Sequence, residues 1–299
     1  MKILGRISLG IFLVGLGLVI AGLIAGGTGA FHRLTDDDFI LVDETYDVGT
    51  LELVKLVFAN KRIDVVPSET DQIRIVYYET AEDPVVVTED ATSLAFEEEL
   101  DFGFEWFDFQ WLWPISPEYY GCTLYLPADA VLSLDLTTSN GGIDIAGMTA
   151  LTGIDAYTSN GEINLLDVDV AGDLEMVSSN GAFDVENVTA FGKVTFRTSN
   201  GKISIDGLVA LGEVVLKTSN GPVDVDGLVA DDLEVDTSNG RIDVAIVGDY
   251  AHYRILMETS NGDMYIDGEE KNDGRYNTSL EPTIDLDTSN GDVRLNFID

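Results

Sequence analysis

The stretch VVLKTSNGPVDVDGL, residues 214–228, decides the fold. At its centre, Asn220-Gly221 is the strongest short signal for a β-hairpin turn that a sequence can carry. On both sides of this turn, apolar residues alternate with polar ones, as they do in strands that bury one face. A hairpin turn needs only Asn and Gly, yet the chain repeats the whole Thr-Ser-Asn-Gly group, so the repetition requires a structural reason.

The same turn recurs along the second half of the chain at a nearly constant spacing. From Asn140 to Asn220 one turn follows another every 20 residues, and the later intervals are 19, 22 and 29 residues. Self-similarity at such a period is typical of stacked repeat architectures. The turn asparagines are Asn140, Asn160, Asn180, Asn200, Asn220, Asn239, Asn261 and Asn290.

Two architectures fit this pattern. In a meander of hairpins each Asn-Gly forms a type I′ turn between antiparallel strands. In a β-solenoid each Asn-Gly forms a corner, and equivalent side chains of successive coils stack about 4.8 Å apart. Only stacking explains why Thr and Ser recur beside Asn, since these side chains can hydrogen-bond along the axis. The sequence therefore favours the solenoid, with Asn220 and Gly221 taking a sharp backbone bend at a corner.

The region before the regular repeats looks like a degraded version of them. ANKRIDVVP, residues 59–67, copies SNGRIDV, residues 238–244, with Lys61 in the place of Gly. The aromatic segment LDFGFEWFDFQWLWPISPEYYG, residues 100–121, then interrupts the pattern. We expect this segment to cover the apolar end of the solenoid, or else to expose Trp106, Trp111 and Trp113 as a contact patch. Near the other end, the polar stretch at 267–279 is expected to be a surface loop.

The N-terminus, MKILGRISLGIFLVGLGLVIAGLIAGGTGA, predicts a membrane segment. Lys2 and Arg6 precede an apolar run over 7–26, which is long enough to cross a bilayer as a helix. This length favours an uncleaved signal anchor over a cleaved signal peptide, although the small residues before Ala30 leave cleavage open. The two basic residues predict a cytoplasmic N-terminus. The expected protein is therefore a single-pass protein of the cell membrane with its C-terminal domain outside the cell.

These observations predict an all-β fold, a single-domain parallel β-solenoid (β-helix) of about 20-residue coils preceded by one N-terminal transmembrane helix. Residues 1–30 are predicted as the signal anchor, 31–42 as a linker and 43–299 as the solenoid domain. Within that domain, 43–122 is the expected irregular start with the aromatic insert, and 123–299 contains the regular coils.

The charge of the chain limits its partners. The 299 residues include 54 acidic and 16 basic ones, for a formal net charge of −38. Such an excess repels nucleic acid and anionic lipid. Stacking places Asp144, Asp184 and Asp224 on one outer face, which raises a weak hypothesis of bound Ca²⁺. An acidic solvated surface explains these residues more simply, so no metal site and no cofactor is assigned.

Residues with catalytic potential are few and scattered. Cys122 is the single cysteine, and it is expected to be free and buried. His32 and His252 are far apart and form no pattern of a metal site or a catalytic triad. The acidic residues recur in every coil, as in a scaffold. The protein is therefore expected not to be an enzyme.

The stretch YLPADAVLSLDLTTSNGGIDI, residues 125–145, resembles the putative adhesin family, a bacterial and archaeal family of unknown function whose members are exported or membrane-anchored β-solenoids. The resemblance covers roughly residues 43–299 and is least typical in the aromatic insert. It implies surface binding, and it carries over neither a ligand nor catalytic residues.

The expected function is therefore that of a non-enzymatic surface, adhesion or binding module. Its expected partners are the membrane, through the N-terminal helix, and a glycan or a surface protein. An alternative is an envelope component, structural or signalling, that docks a partner protein, and a second is an enzyme that acts on glycans. The oligomeric state does not follow from the sequence.

Overall fold

The structure, a computed structural model, describes residues 38–81, 83–99, 117–272 and 274–298. Cα packing divides the chain into two units, and the unit Phe39–Phe104 with Ser116–Asp299 contains all of the described strands. The other unit, Met1–Asp38 with Glu105–Ile115, lies outside the described residues apart from Asp38. The predicted transmembrane helix belongs to that part. Among the described residues, no helix combines the length and apolarity needed to cross a membrane.

Twenty-five strands and two 3-10 helices are found in the described part of the chain. The first strands are β1 (Ile40–Asp47), β2 (Leu53–Phe58), β3 (Arg62–Pro67), β4 (Gln72–Glu79), β5 (Val85–Glu89), β6 (Ser93–Glu98), β7 (Gly121–Leu126), β8 (Ser133–Thr138), β9 (Ile143–Ala146), β10 (Gly153–Thr158), β11 (Ile163–Val170) and β12 (Leu174–Ser178). The others are β13 (Phe183–Ala190), β14 (Val194–Arg197), β15 (Ile203–Ala210), β16 (Val214–Thr218), β17 (Val223–Leu228), β18 (Leu233–Thr237), β19 (Ile242–Val247), β20 (Arg254–Thr259), β21 (Met264–Ile266), β22 (Glu269–Lys271), β23 (Arg275–Tyr276), β24 (Thr283–Thr288) and β25 (Val293–Ile298). The 3-10 helices are Pro117–Tyr120 and Tyr250–His252.

The strands form two long sheets. The first sheet has 13 strands in the order β1-β4-β7-β3-β9-β11-β13-β15-β17-β19-β25-β21-β22. The second sheet has 12 strands in the order β23-β20-β24-β18-β16-β14-β12-β10-β8-β2-β6-β5. Each regular coil contributes one strand to each sheet, and the Thr-Ser-Asn-Gly corner leads from the second sheet to the first.

The stretch 214–228, quoted at the start of the sequence analysis and called the opening stretch below, shows the geometry of one coil. Its strands β16 and β17 do not pair with each other but lie in different sheets. Val214 pairs in parallel with Val194 on one side and with Leu233 on the other. Val223 pairs in parallel with Ile203. Parallel neighbours one coil apart exclude the meander of hairpins and agree with the predicted solenoid.

One apolar core lies between the two sheets. The alternating residues of each strand that were predicted to be buried are buried, as in Val214 and Leu216 of β16 and Val223 and Val225 of β17. The link between coils also contributes one side chain at a fixed register, and Val188 pairs with Leu208 there. Like residues therefore stack in like slices of the core, and each coil buries the apolar surface of its neighbour.

The coil order at the C-terminal end differs from the chain order. The last two strands, β24 and β25, do not follow β20 and β21 at the end of the stack. They lie one coil further in, where Ile242 pairs with Val293 and Val293 pairs with Met264. The strands of the outermost coil therefore come earlier in the sequence than β24 and β25, which lie beneath that coil.

At the N-terminal end of the stack, the spatial order of the coils also differs from their order along the chain. The coil of β2 and β3 packs directly on the regular coil of β8 and β9, so Val54 pairs with Leu134. The later coil, of β6 and β7, lies outside it, and Val54 pairs there with Leu94. The degraded repeat at 59–67 is therefore an inner coil in full register with the others, although it falls within the predicted irregular start.

Antiparallel strands cover both ends of the stack. At the N-terminal end β4 pairs with β7, β1 with β4, and β5 with β6. At the C-terminal end β22 pairs with β21, and β23 pairs with β20. Two sequence predictions change as a result. Strand β1 begins at Ile40, inside the predicted linker 31–42, and the expected surface loop at 267–279 supplies both C-terminal capping strands.

Candidate functional site

The Thr-Ser-Asn-Gly corner is the most regular polar feature of the molecule. In the opening stretch, Thr218 is buried, and its Oγ1 donates a hydrogen bond of 3.1 Å to the carbonyl of Gly201 in the preceding coil. The same Oγ1 accepts a hydrogen bond of 3.1 Å from the backbone N–H of Gly221. One hydroxyl thus satisfies a buried donor and a buried acceptor, which explains why Thr recurs. Equivalent bonds to the preceding coil are made by Thr138, Thr158, Thr198, Thr237 and Thr288.

The asparagine side chains form one continuous ladder along the stack. Asn220 Nδ2 donates to Asn200 Oδ1 at 2.7 Å, and Asn239 Nδ2 donates to Asn220 Oδ1 at 2.8 Å. The structure places every predicted turn asparagine in this ladder, whose order along the axis is Asn140, Asn160, Asn180, Asn200, Asn220, Asn239, Asn290 and Asn261. The ladder has a further member that the sequence analysis missed, because Asn140 Nδ2 donates to Asn60 Oδ1 at 2.7 Å. The match of ANKRIDV to SNGRIDV was the signal for it.

Glycine is required at the corner for a different reason from the one predicted. No corner Asn or Gly has the positive φ expected for a sharp left-handed bend. Instead, a Cβ on Gly221 would lie 1.8 Å from the carbonyl oxygen of Gly201, and a Cβ on Gly201 would lie 1.8 Å from that of Gly181. Adjacent coils therefore approach each other so closely at the corner that only a residue without a side chain fits.

Lys61 takes the glycine position in the inner N-terminal coil. Its ammonium group forms an ion pair with Glu98, in which both side chains are almost fully buried, and it lies 5.1 Å from the ring centroid of Phe58. Glu98 also accepts a hydrogen bond of 2.7 Å from the backbone N–H of Ala59. The next coil outward joins β6 to β7 through residues 99–120 and not through a Thr-Ser-Asn-Gly corner. The predicted contact patch of Trp106, Trp111 and Trp113 belongs to this connection and lies outside the described residues.

Uncharged residues separate the aspartates of the acidic row on the first sheet, and basic side chains pair with Asp144 and Asp224. Asp144, Asp184 and Asp224 alternate with Asn164 and Ser204 on successive strands. Asn164 Nδ2 donates to Asp144 Oδ1 at 2.7 Å. Burial raises the pKa of Asp144, while the hydrogen bond from Asn164 and the charge of nearby Arg62 oppose that shift.

The same row does not form a calcium site in its present geometry. Its aspartates are two strands apart, which is nearly 10 Å at the usual strand spacing, whereas oxygens bind Ca²⁺ at about 2.4 Å. Asp224 already pairs with Lys202 at 2.9 Å and with Arg241 at 2.7 Å. Among the described residues, no group of three or more His, Cys, Asp or Glu side chains could hold a metal ion.

The second sheet carries several acidic side chains in register near its C-terminal end, where Lys217 pairs with Glu234 and Arg254 partly offsets the charge around Asp285. Asp285 pairs in register with Glu234, and Asp287 pairs with both Asp236 and Glu258. Burial, followed by the charges of neighbouring carboxylates, raises the pKa of Asp285 and of Asp287. Stacked carboxylates of this kind repel one another, so this part of the sheet is a local source of electrostatic destabilisation.

The residues with nucleophilic or acid–base potential remain apart. Cys122 is fully buried in the core, and burial raises the pKa of its thiol above the usual range, so the thiolate is not formed at neutral pH. His252 lies in the exposed 3-10 helix Tyr250–His252, and His32 lies outside the described residues. Cys122 lies on β7 near the N-terminal end of the stack, and His252 precedes β20 near the other end, so these two side chains are not brought together.

A family model described as Toastrack DUF4097 matches residues 53–296. No curated protein matches the chain. A solved structure of a putative adhesin from Bacteroides fragilis NCTC 9343 is similar over 87% of this chain and 97% of that chain, with 16% sequence identity and a TM-score of 0.42. A putative cell adhesion protein from Clostridium sporogenes ATCC 15579 is similar over 87% of this chain and 100% of that chain, with 11% identity and a TM-score of 0.26.

Proposed function

We propose that this chain, which belongs to the Toastrack DUF4097 family, is a membrane-anchored extracellular β-solenoid. In this proposal it acts as a non-enzymatic surface, adhesion or binding module. The observation that carries the proposal is the stacking of like coils into two long sheets, with one asparagine ladder running along the corners. Repetition of this kind builds an extended outer surface, whereas an enzyme requires a few unlike groups gathered at one point.

The proposed anchor is the apolar run over residues 7–26. Its length suits one bilayer crossing, and Lys2 and Arg6 favour a cytoplasmic N-terminus. The solenoid then lies outside the cell, where its net charge of −38 keeps it soluble and away from anionic lipid.

The anchor and its topology can be tested on intact cells. A tag on the C-terminal side of Ile298 should be removed by added protease, while a tag before Lys2 should be protected until the cells are permeabilised. The protein should remain in the membrane fraction after a high-salt wash. Release of the solenoid into the medium would indicate cleavage near Ala30 and would contradict the signal anchor.

The candidate contact patch of the proposed module is the aromatic insert. The chain leaves β6 at Glu98 and returns at Pro117, and Trp106, Trp111 and Trp113 lie between. Exposed aromatic side chains commonly bind glycans or protein partners, and packed ones cover apolar ends of solenoids. Trp106→Ala and Trp111→Ala distinguish these roles. If these side chains bind a partner, the variants should keep the wild-type melting temperature while attachment of the cells to a surface falls. If they cover the end of the solenoid, the melting temperature should fall sharply.

The adhesion role is tested by deleting the gene and measuring attachment of the cells to a surface. Loss of attachment, restored by the wild-type chain, supports adhesion. Unchanged attachment contradicts it. In that case, recovery of one envelope protein in a pull-down with the tagged chain would favour the docking component, and glycan products released by the purified chain would favour the enzyme.

A further inference from the structure

An exposed apolar row runs along the outer side of the first sheet in its C-terminal half. We define the valine row as Val209, Val229, Val247 and Ile298, each with an exposed fraction of 36–38%. Val209 pairs with Val229 in a parallel bridge. Leu228 pairs with Ile246, which brings Val229 beside Val247, and Val247 pairs with Ile298. Four successive coils of the first sheet therefore carry an apolar side chain at the same outward position.

The regular pattern of the solenoid does not account for this row. The equivalent outward positions of the preceding coils are polar, since Val209 pairs with Thr189 and Thr189 pairs with Asp169. Beside the row, the corner leading back to the second sheet exposes Leu211 by 59% and Phe191 by 56%. A contiguous apolar patch with a polar border is typical of a site for another molecule.

A row of acidic residues runs parallel to the valine row. We define the acid row as Glu186, Asp206 and Asp226, which pair in register on three successive strands. All three side chains are exposed. In the part of the chain that the structure describes, none of the three makes a side-chain hydrogen bond or an ion pair. Asp206 and Val209 are three positions apart, with the left-handed Gly207 between them, so the two rows lie at most about 10 Å apart.

We propose that the valine row and the acid row together form a docking surface for a cationic amphipathic segment of a partner protein. This inference rests on the proposed function, and it names one binding surface and the chemistry of its partner. Apolar side chains of the segment cover the valine row, and its Lys or Arg side chains reach the acid row. Burial of the apolar area provides affinity, and the opposite charges provide orientation and a fast association rate.

Charge favours this occupant over the other candidates. A second copy of the chain would bring two acid rows and two net charges of −38 together, and anionic lipid would be repelled in the same way. Glycans stack on flat aromatic rings, whereas the valine row presents branched aliphatic side chains. A cationic amphipathic segment complements both rows at once.

The first experiment measures binding of a defined probe to the full chain in nanodiscs of zwitterionic lipid. The probe is a synthetic peptide in which Leu and Lys alternate, and the comparison peptide has Ser in the place of Leu with the same charge. Val209→Thr with Val229→Thr keeps the β-branched shape and copies the natural Thr189 of the same row. We expect this variant to melt like the wild type and to bind the Leu/Lys peptide about tenfold more weakly.

The matched control removes apolar surface from the other sheet. Tyr157 and Val177 pair in register on the outer face of the second sheet, and Tyr157→Thr with Val177→Thr should leave the affinity unchanged. Equal affinities in both variants, or equal affinities for the two peptides, would show that the acidic surface attracts any cation and would overturn the proposal.

The second experiment tests the acid row with two double variants that have the same net charge as each other. Asp206→Asn with Asp226→Asn should weaken the Leu/Lys peptide more than Asp135→Asn with Asp155→Asn, a pair in register on the second sheet. Equal weakening overturns the role of the acid row. The chain could instead form a concentration-dependent dimer that is lost in Val209→Thr with Val229→Thr. That result would show that the surface binds a second copy of the chain and not a partner protein. If this valine variant loses the peptide but cells still attach, the surface does not mediate the adhesion of the proposed function.

Discussion

At the scale of single residues, Thr, Asn and Gly each have a different structural role in the Thr-Ser-Asn-Gly corner. Thr218 bridges two buried backbone groups, Asn220 continues the amide ladder, and Gly221 leaves room for the neighbouring coil. Each task needs the equivalent residue in the next coil. The group is therefore repeated as a unit because the coils stack, and it does not mark a reaction centre.

The ladder predicts that the cost of an Asn→Asp change depends on position. Asn200 accepts from Asn220 and donates to Asn180 and to the carbonyl of Ser179. Asn200→Asp loses both donated bonds and places a carboxylate against two acceptors. We expect it to lower the free energy of unfolding by about 2 kcal/mol.

Asn261→Asp is the matched control. Asn261 is the last member of the ladder and donates one bond, to Asn290. Chemical denaturation of both variants should therefore show a smaller loss for Asn261→Asp. Equal losses would contradict the larger contribution of the inner position to stability.

At the scale of elements, the close approach of the corners sets the identity of the glycines. Neighbouring strands of each sheet keep a register without slips through most of the regular coils, because Thr and Gly fix one corner against the next. The strands themselves need only alternate apolar and polar residues. The corner thus sets the stacking, and the strands fill the core.

The corner contacts predict a strong effect of Gly201→Ala. The new Cβ would lie 1.8 Å from the carbonyl oxygen and 2.5 Å from the carbonyl carbon of Gly181, and backbone atoms cannot move aside as a side chain can. We expect a loss of roughly 3 kcal/mol in the free energy of unfolding.

Gly153→Ala serves as the control for this change, because its Cβ would meet only ordinary contacts at 3.6 and 3.7 Å. Thermal melting should separate the two variants clearly. Similar melting temperatures would contradict the coil spacing at the corner.

At the scale of the whole molecule, both ends of the stack depart from the chain order. The inner N-terminal coil and the last two strands each lie one position further in than a simple winding would place them. Antiparallel strands then cover the outermost coils, so the sheet edges at the two ends are formed by β1, β5, β22 and β23 and not by strands of the coils.

The exchanged order at the C-terminal end predicts a specific cross-link. Asp236 and Glu258 each pair with Asp287 and not with one another. Asp236→Cys with Asp287→Cys should oxidise readily to a disulfide, since paired parallel residues have a suitable Cα separation. Asp236→Cys with Glu258→Cys should remain reduced, and Cys122 does not interfere because it is buried. Thiol labelling followed by a gel-shift assay measures both cross-links. The opposite result would show that the coils stack in the order in which they occur along the chain.

The crowded carboxylates of the second sheet predict a pH dependence. The pKa of Asp285 is raised by burial and by Glu234, so the folded state binds a proton more tightly than the unfolded state does. Its carboxylate therefore lowers stability at neutral pH, and this penalty disappears as the pH falls from above the raised pKa to below about 3.9. Asp285→Asn should raise the melting temperature at pH 7 and lose that advantage in acid.

Asp43→Asn is the control with the opposite sign. The hydrogen bond from Arg74 lowers the pKa of Asp43, so its carboxylate is favourable at neutral pH. This variant should show no gain in melting temperature at pH 7. A gain equal to that of Asp285→Asn would point to relief of net charge in general and contradict the local explanation.

The sequence by itself determined the parallel solenoid, the alternation that fills the core and the asparagine ladder, because each of these depends on residues that repeat at a fixed spacing. Only the tertiary structure decided the order of the terminal coils, since the regular coils present the same corner and the spacing of corners along the chain does not say which coils become neighbours. It also decided the reason for the glycines, which is the approach of Gly201 to Gly221 across coils. The valine row emerged in the same way, because Val247 and Ile298 are far apart in sequence and become neighbours only when the last strand is inserted.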